Sequence, residues 1–165
     1  MKKFHMAVGF VIISAFILMT GYELGANDKY DFYSNVESTD LSGEMVNSIS
    51  LSSKKEDVLK RFGLPEKTHQ ISKPKTTFLV YKDIQFGLKN NEVFRYFFSD
   101  NHSTSERITA GDPSEKVIET YGSNYYERTD TGAEIIGYFD KQHHINIEFS
   151  FYENKVIGTI IEKIN

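Results

Sequence analysis

Apolar positions are arranged in three ways along the chain. They are nearly continuous from Met6 to Tyr22, broken only by Ser14, Thr20 and two glycines. Over residues 27–48 they are sparse, set among Asp28, Asp31, Glu37, Asp40 and Glu44 with Lys29 as the lone cation. From Ile49 onward they follow helical and strand periods in turn. Val58, Leu59 and Phe62 make one apolar stripe at helical spacing, and Val117, Ile118 and Tyr121 make another.

The punctuation around each stripe predicts a short helix. Ser53 with Glu56, and Asp112 with Glu115, have the spacing of a capping box, and Pro113 suits a first helical position. Gly63 and Gly122 predict helix stops in the left-handed conformation. Aromatic and β-branched runs follow each helix. The first set is Thr76–Tyr81, Ile84–Lys89 and Glu92–Phe98, with a weaker run at Lys67–Ile71. The second is Glu134–Phe139, His144–Phe151 and Lys155–Glu162, with a weaker run at Tyr125–Thr129. Asn90-Asn91 and Glu153-Asn154 mark hairpin turns, because asparagine tolerates positive φ. Alternation such as Ile145, Ile147, Phe149, Phe151 predicts sheets with one buried and one wetter face.

The segment Ser53–Gly63 aligns without gaps on Asp112–Gly122, and Phe86–Val93 on Phe149–Val156. The expected fold class is therefore α+β: two tandem repeats, each a short helix followed by a three- to four-stranded antiparallel sheet. The expected boundaries are 49–107 and 108–165, preceded by an acidic polar linker over 27–48. The second repeat is about six residues longer near Lys141–Asn146.

The basic start Met1-Lys2-Lys3-Phe4-His5 ahead of the apolar run predicts a signal peptide or N-terminal membrane anchor over 1–26. The run approaches the ~20 apolar residues that cross a bilayer, and the lysines would hold its start in the cytoplasm. Met19-Thr20-Gly21-Tyr22 has the look of a lipoprotein processing box with Tyr22 where cysteine belongs, and the chain has no cysteine. The folded part is thus expected outside the cytoplasm of a bacterial envelope, anchored or secreted, touching membrane through the N-terminal segment only.

Composition narrows the chemistry. The chain carries a net charge of −4, and without residues 1–26 it has 17 basic against 22 acidic groups, a net of −5. An acidic domain without a basic block does not suit a phosphate backbone, so nucleic acid is not an expected partner. Lack of cysteine removes disulfides, thiolate metal sites and cysteine nucleophiles.

A capped helix reading Ser-x-x-Glu-Asp-Val-x-x-x-Phe-Gly-x-Pro (Ser53 to Pro65), then Phe78–Tyr81 and a hairpin with Asn90-Asn91-Glu92-Val93, resembles the SmpA/OmlA small-lipoprotein module. Two such modules in tandem are similar to the β-lactamase inhibitor protein fold. The resemblance covers about residues 49–165 and implies a binding role, as an envelope scaffold or as an enzyme inhibitor. The chain departs from the pattern in lacking the lipidated cysteine and in having no proline after Gly122.

Three fragments imitate serine β-lactam enzymes: Ser52-x-x-Lys55, Ser99-Asp100-Asn101 and Lys75-Thr76-Thr77. Their order is wrong and the final glycine is missing, so coincidence is the better reading. His143 and His144 are adjacent and would face opposite ways on a strand, which does not suit a shared metal. No metal, cofactor or catalytic residue is expected. Tyr125-Tyr126 and Tyr138-Phe139 are adjacent aromatic pairs, so one member of each should reach the wetter face. With His143 and His144 in the Lys141–Asn146 loop, they form the candidate protein-binding set. The expected function is an extracytoplasmic protein-binding module that inhibits or modulates an envelope enzyme. The alternatives are a non-inhibitory structural adaptor in envelope assembly and, behind it, a cell-wall hydrolase.

Overall fold

The computed structural model describes residues 32–164. The chain divides into two compact units, Met1–Ser34 and Asn35–Asn165, and the elements named below all belong to the second. The expected signal or anchor over 1–26 lies outside the described residues, as do 27–31 of the expected linker. Among the described residues no helix is long and apolar enough to cross a membrane.

The short strands β1 (Met45–Val46) and β2 (Ile49–Ser50) pair as a two-stranded sheet. Helix α1 (Lys55–Phe62) leads into β3 (Lys67–Ser72), β4 (Lys75–Val80), β5 (Ile84–Lys89) and β6 (Glu92–Phe98). Helix α2 (Ser114–Tyr121) leads into β7 (Tyr126–Asp130), β8 (Ala133–Asp140), β9 (Ile145–Tyr152) and β10 (Lys155–Lys163). All eight long strands join one antiparallel sheet in the order β3-β4-β5-β6-β10-β9-β8-β7. This corrects the expected α+β class of two tandem helix-plus-sheet repeats. The protein is mostly β, and neither half owns a sheet, because β6 pairs β10 with Phe98 opposite Thr159 and Tyr96 opposite Ile161. Hydrophobic alternation sets which face of a strand is buried but not which strand lies beside it.

The strands themselves form where the aromatic and β-branched runs predict them, including both weaker runs. The turns follow local chemistry: Asn90 and Asn91 have φ of 52° and 68°, and Glu153 and Asn154 have 49° and 57°. Each helix begins two residues after its expected cap, so the N-caps are Lys54 and Pro113, and Pro113 precedes the first helical position expected for it. Ser53 Oγ accepts from Ser50 N instead, and Lys54 N donates to Asp57 Oδ2 at 3.0 Å. Asp112 likewise accepts from Thr109 N and Lys116 Nζ ahead of a helix that starts at Ser114. The helix stops also differ from the left-handed form. Gly63 (φ 77°, ψ −157°) and Gly122 (φ 96°, ψ 177°) occupy a positive-φ, extended region that is almost exclusive to glycine.

The core lies on the face that the helices cover. Val58 and Val117 are buried there with Phe86, Tyr96, Phe98, Tyr138, Ile147 and Phe149. Phe62 of α1 packs at 5.1 Å from Phe86, and Tyr121 of α2 packs at 5.3 Å from both Tyr138 and Phe149. Each aromatic buried this way contributes about 1.5–3 kcal/mol of transfer free energy.

Within the acidic polar linker expected over 27–48, several described residues pack onto the domain. Leu41, Glu44 and Val46 are buried, Thr39 N donates to Phe139 O, and β1 lies within the segment. The opposite face of the sheet is drier than alternation implies, since β8 is buried continuously from Ile135 to Asp140 and β9 from Asn146 to Phe151. Aromatic rings lying over glycines contribute to this cover. A Cβ on Gly137 would meet the Tyr126 ring at 2.2 Å, and one on Gly158 would meet Phe97 at 2.6 Å.

Candidate functional site

The β8–β9 connection lies at one end of the strands of the second half and is shaped by one carboxylate. Asp140 closes β8 with its side chain only 2% exposed. Its Oδ1 accepts from Gln142 N and His143 N, each at 2.9 Å, and its Oδ2 accepts from Leu41 N at 2.9 Å. The His143 ring Nδ1 lies 2.8 Å from the same Oδ2. Burial alone would raise the Asp140 pKa, but these donors outweigh it and hold the carboxyl below its ordinary range. Ser38 Oγ accepts from Lys141 N, and Ile164 N donates to His144 O at 2.8 Å, pinning the turn to the end of β10. His144 itself has φ of 55°, a conformation tolerable in a tight turn.

This turn borders an open cleft of about 620 Å³. Gln142, His143, His144 and Lys163 bring polar and cationic groups to it, with Ser42 and Ser52 opposite and Leu51 and Ile145 as apolar lining. Ser42 Oγ donates to Asp40 Oδ1 at 2.7 Å, so its proton is already engaged by a carboxylate. Asp40, Asp140 and His143 each offer a ligand atom within 4.8 Å of the others. Their hydrogen bonds account for the grouping: Asp40 Oδ1 takes both N and Oγ of Ser42, and both oxygens of Asp140 are filled. The arrangement is a clamp that presents a loop.

The predicted residues divide between two places. His143 and His144 share the cleft and are exposed. They sit in a turn before β9, not on opposite faces of a strand. The aromatic pairs do not reach solvent as expected. Tyr138 is fully buried and donates to Gly122 O at 2.9 Å, and Tyr125 is half-buried with its ring 6.1 Å from Tyr138. Tyr126 (6%) and Phe139 (8%) point to the other face yet are buried there too. The physical reason for Tyr126 is the absent side chain at Gly137, which lets the phenol lie flat on the sheet.

Around Tyr126 stands a polar network that residue types alone did not single out. Arg128 binds Glu148 in bidentate fashion, Nε to Oε1 at 2.9 Å and Nη2 to Oε2 at 2.7 Å, and reaches Asp130 at 3.1 Å. The Tyr126 hydroxyl lies 2.8 Å from both Asn146 Oδ1 and Glu148 Oε1, while Asn146 Nδ2 is buried and unpaired. One phenol proton cannot serve two acceptors. Turning the Asn146 amide over removes the conflict: its NH2 donates to Tyr126, which donates to Glu148. Of the fragments that imitate β-lactam enzymes, Ser99-Asp100-Asn101 serves a turn. Ser99 N and Asn101 Nδ2 both bond Asp83, fixing the end of β6.

The profile of a domain of unknown function, DUF4309, matches residues 33–162. The chain belongs to the DUF4309 family. No match was found among curated proteins. Among solved structures, an extracellular protein containing an SCP domain from Bacillus anthracis superposes with a TM-score of 0.50 at 13% identity, covering 68% of this chain and 44% of that one. A cysteine-rich secretory protein from Staphylococcus aureus gives 0.48 at 10% identity, with the same coverage of 68% and 44%. The DUF4309 chain thus spans less than half the length of those two proteins. A protein described as a candidate β-lactamase inhibitor protein from Streptococcus mutans gives a TM-score of 0.31 at 16% identity, over 85% of this chain and 98% of that one.

Proposed function

We propose that this DUF4309 chain is an extracytoplasmic protein-binding module that presents the Lys141–His144 turn and its cleft to an envelope enzyme and modulates that enzyme. The observation that carries the reading is the Asp140 clamp. It fixes the loop backbone by two main-chain bonds and one imidazole bond and ties it to Leu41 N by a third, so Gln142, His143 and His144 are displayed without further ordering. A preorganised loop loses less conformational entropy when it docks, and that difference appears as affinity. The basic-then-apolar start supports export, and the description of the Bacillus anthracis relative as extracellular agrees with it.

The test is site-specific photocrosslinking with the full chain in native membranes, comparing a photoreactive residue at His144 with one at Glu119 on the exposed side of α2. One envelope protein captured through position 144 and not 119 is the expected result. Equal capture at both sites, or none at 144, rejects the loop as the binding surface. Rates of the captured enzyme with stoichiometric chain then separate modulation from a silent adaptor role, and turnover by the chain alone would reject the binding reading.

A further inference from the structure

Among the described residues the sheet has two free edges, β3 and β7, and they are finished differently. In β7 the side chains of Tyr126 and Arg128 fold back into the Glu148 network. All six residues of β3 are exposed, and its pairing with β4 runs without a bulge from Lys67–Val80 to Ser72–Lys75. The direction of each backbone group on β3 follows from the next hairpin. Tyr81 N donates to Ile84 O, so Tyr81, Leu79 and Thr77 turn their amides toward β5. Val80, Phe78 and Thr76 therefore bond to β3, where they face Lys67, His69 and Ile71. By the same alternation Thr68, Gln70 and Ser72 aim their N–H and C=O groups outward.

We propose that β3 is a docking edge for an extended acidic segment of a partner protein, which adds antiparallel or parallel as a ninth strand. Charge selects the occupant. Residues 66–75 carry Lys67, Lys73 and Lys75 against Glu66 alone, a basic edge on a chain of net charge −4. Lysines on an edge discourage indiscriminate pairing and leave a carboxylate-bearing strand as the favoured complement. A second copy fits worse. A two-fold pairing of β3 with itself must match outward groups to outward groups, and centring it on Gln70 sets Lys67 against Lys73 twice. Apolar anchors lie at both ends of the strand: Leu64 is 88% exposed and Ile71 38%. Backbone bonds would supply affinity and the alternate side chains specificity. This surface is separate from the cleft, and either proposal stands if the other fails.

The experiment uses the full chain in detergent and a fluorescent peptide of alternating Glu and Val as probe, with alternating Lys and Val as control. The Glu-Val peptide is expected to bind and to weaken at least tenfold as salt rises from 50 to 500 mM. Hydrogen exchange should slow at least tenfold at the amides of Thr68, Gln70 and Ser72 and stay unchanged along β7. Gln70→Pro removes an outward N–H while sparing the bonds to β4, and should abolish binding; Lys67→Glu/Lys75→Glu should transfer the preference to the Lys-Val peptide. Absence of Glu-Val binding, equal binding of both peptides, or binding without that three-amide pattern overturns the proposal. Protection of the same amides in the peptide-free protein, rising with protein concentration, would also overturn it by assigning the edge to a second copy.

Discussion

Tyr81 donates its hydroxyl to Gly63 O at 3.0 Å, and in the other half Tyr138 donates to Gly122 O at 2.9 Å. Glu56 at the start of α1 accepts from the turn residue Asn91, and Glu115 at the start of α2 accepts from Asn154. A bridge joins Lys54 to Glu92, and another joins Pro113 to Lys155. On the helix side, then, the two halves use matching contacts. The opposite side is another matter. There the first half sets half-buried Phe78 and Phe94 edge to face at 6.3 Å over Gly87, where the second half has Tyr126, Arg128, Asn146 and Glu148. Helix packing tolerates little change, because a shared core couples every contact to its neighbours. The far face and the outer strands are released from that constraint, and it is there that the halves differ most.

The strongest way to press this contrast is to remove Arg128. Glu148 is 9% exposed, so Arg128→Met leaves a nearly buried carboxylate without its guanidinium and should cost about 3 kcal/mol by chemical denaturation. Phe78→Ala in the first half, at a half-exposed site, should cost about 1–2 kcal/mol. The double variant Arg128→Met/Glu148→Gln should recover most of the loss, since the only carboxylate left without the guanidinium is Asp130, which is partly exposed to water. If Arg128→Met proves no worse than Phe78→Ala, the network is not the structural centre of its half.

A smaller effect probes the likeness of the halves. Gly63 and Gly122 both stop helices at positive φ, and a Cβ added to either meets nothing within 4 Å. Any loss in Gly63→Val or Gly122→Val therefore reports backbone conformation without steric clash. Each should lower stability by about 2 kcal/mol, and the two values should agree within a few tenths. Unchanged thermal stability in either variant would remove the helix-stop argument for that half.

Much of the helix side was legible in the residues. Helix stripes, glycine stops and the Asn90-Asn91 turn are all local signals, and each specifies structure within a few positions of itself. The β6–β10 pairing was not legible, because Tyr96, Phe98 and Ile161 advertise a buried face while saying nothing of the neighbouring strand. The candidate site was read in part. His143 and His144 do share a cleft, but Asp140, which shapes it, sits at the end of a strand where an aspartate ordinarily signals only a turn. One member of each pair, Tyr125-Tyr126 and Tyr138-Phe139, is expected on a wetter face because neighbours on a strand face opposite ways. That argument assumes a wet second face, which aromatic rings over Gly137 and Gly158 remove.

The subtlest difference between the halves is one hydroxyl. Where α1 ends in Phe62, α2 ends in Tyr121, whose hydroxyl donates to Glu44 Oε1 at 2.7 Å, and Ser105 N donates to Oε2 at 3.2 Å. Glu44 is only 7% exposed. Burial raises its pKa, the Tyr121 and Ser105 bonds oppose that rise, and the nearby Glu106 charge reinforces it. A raised folded-state pKa means that the native protein holds the Glu44 proton more tightly than the unfolded chain does. Its contribution to stability is complete below the unfolded pKa of about 4.3 and is lost as pH rises through the folded value. Glu44→Gln cannot ionise, and its amide can still accept from Ser105 while donating to Tyr121. Its stability relative to the wild-type chain should therefore be level in acid, climb through the Glu44 titration and then plateau. Denaturation curves taken from pH 4 to pH 8 would read this directly. A difference that stays flat over that range would mean Glu44 titrates as it does in the unfolded chain, and that the extra hydroxyl on α2 does not serve a buried charge.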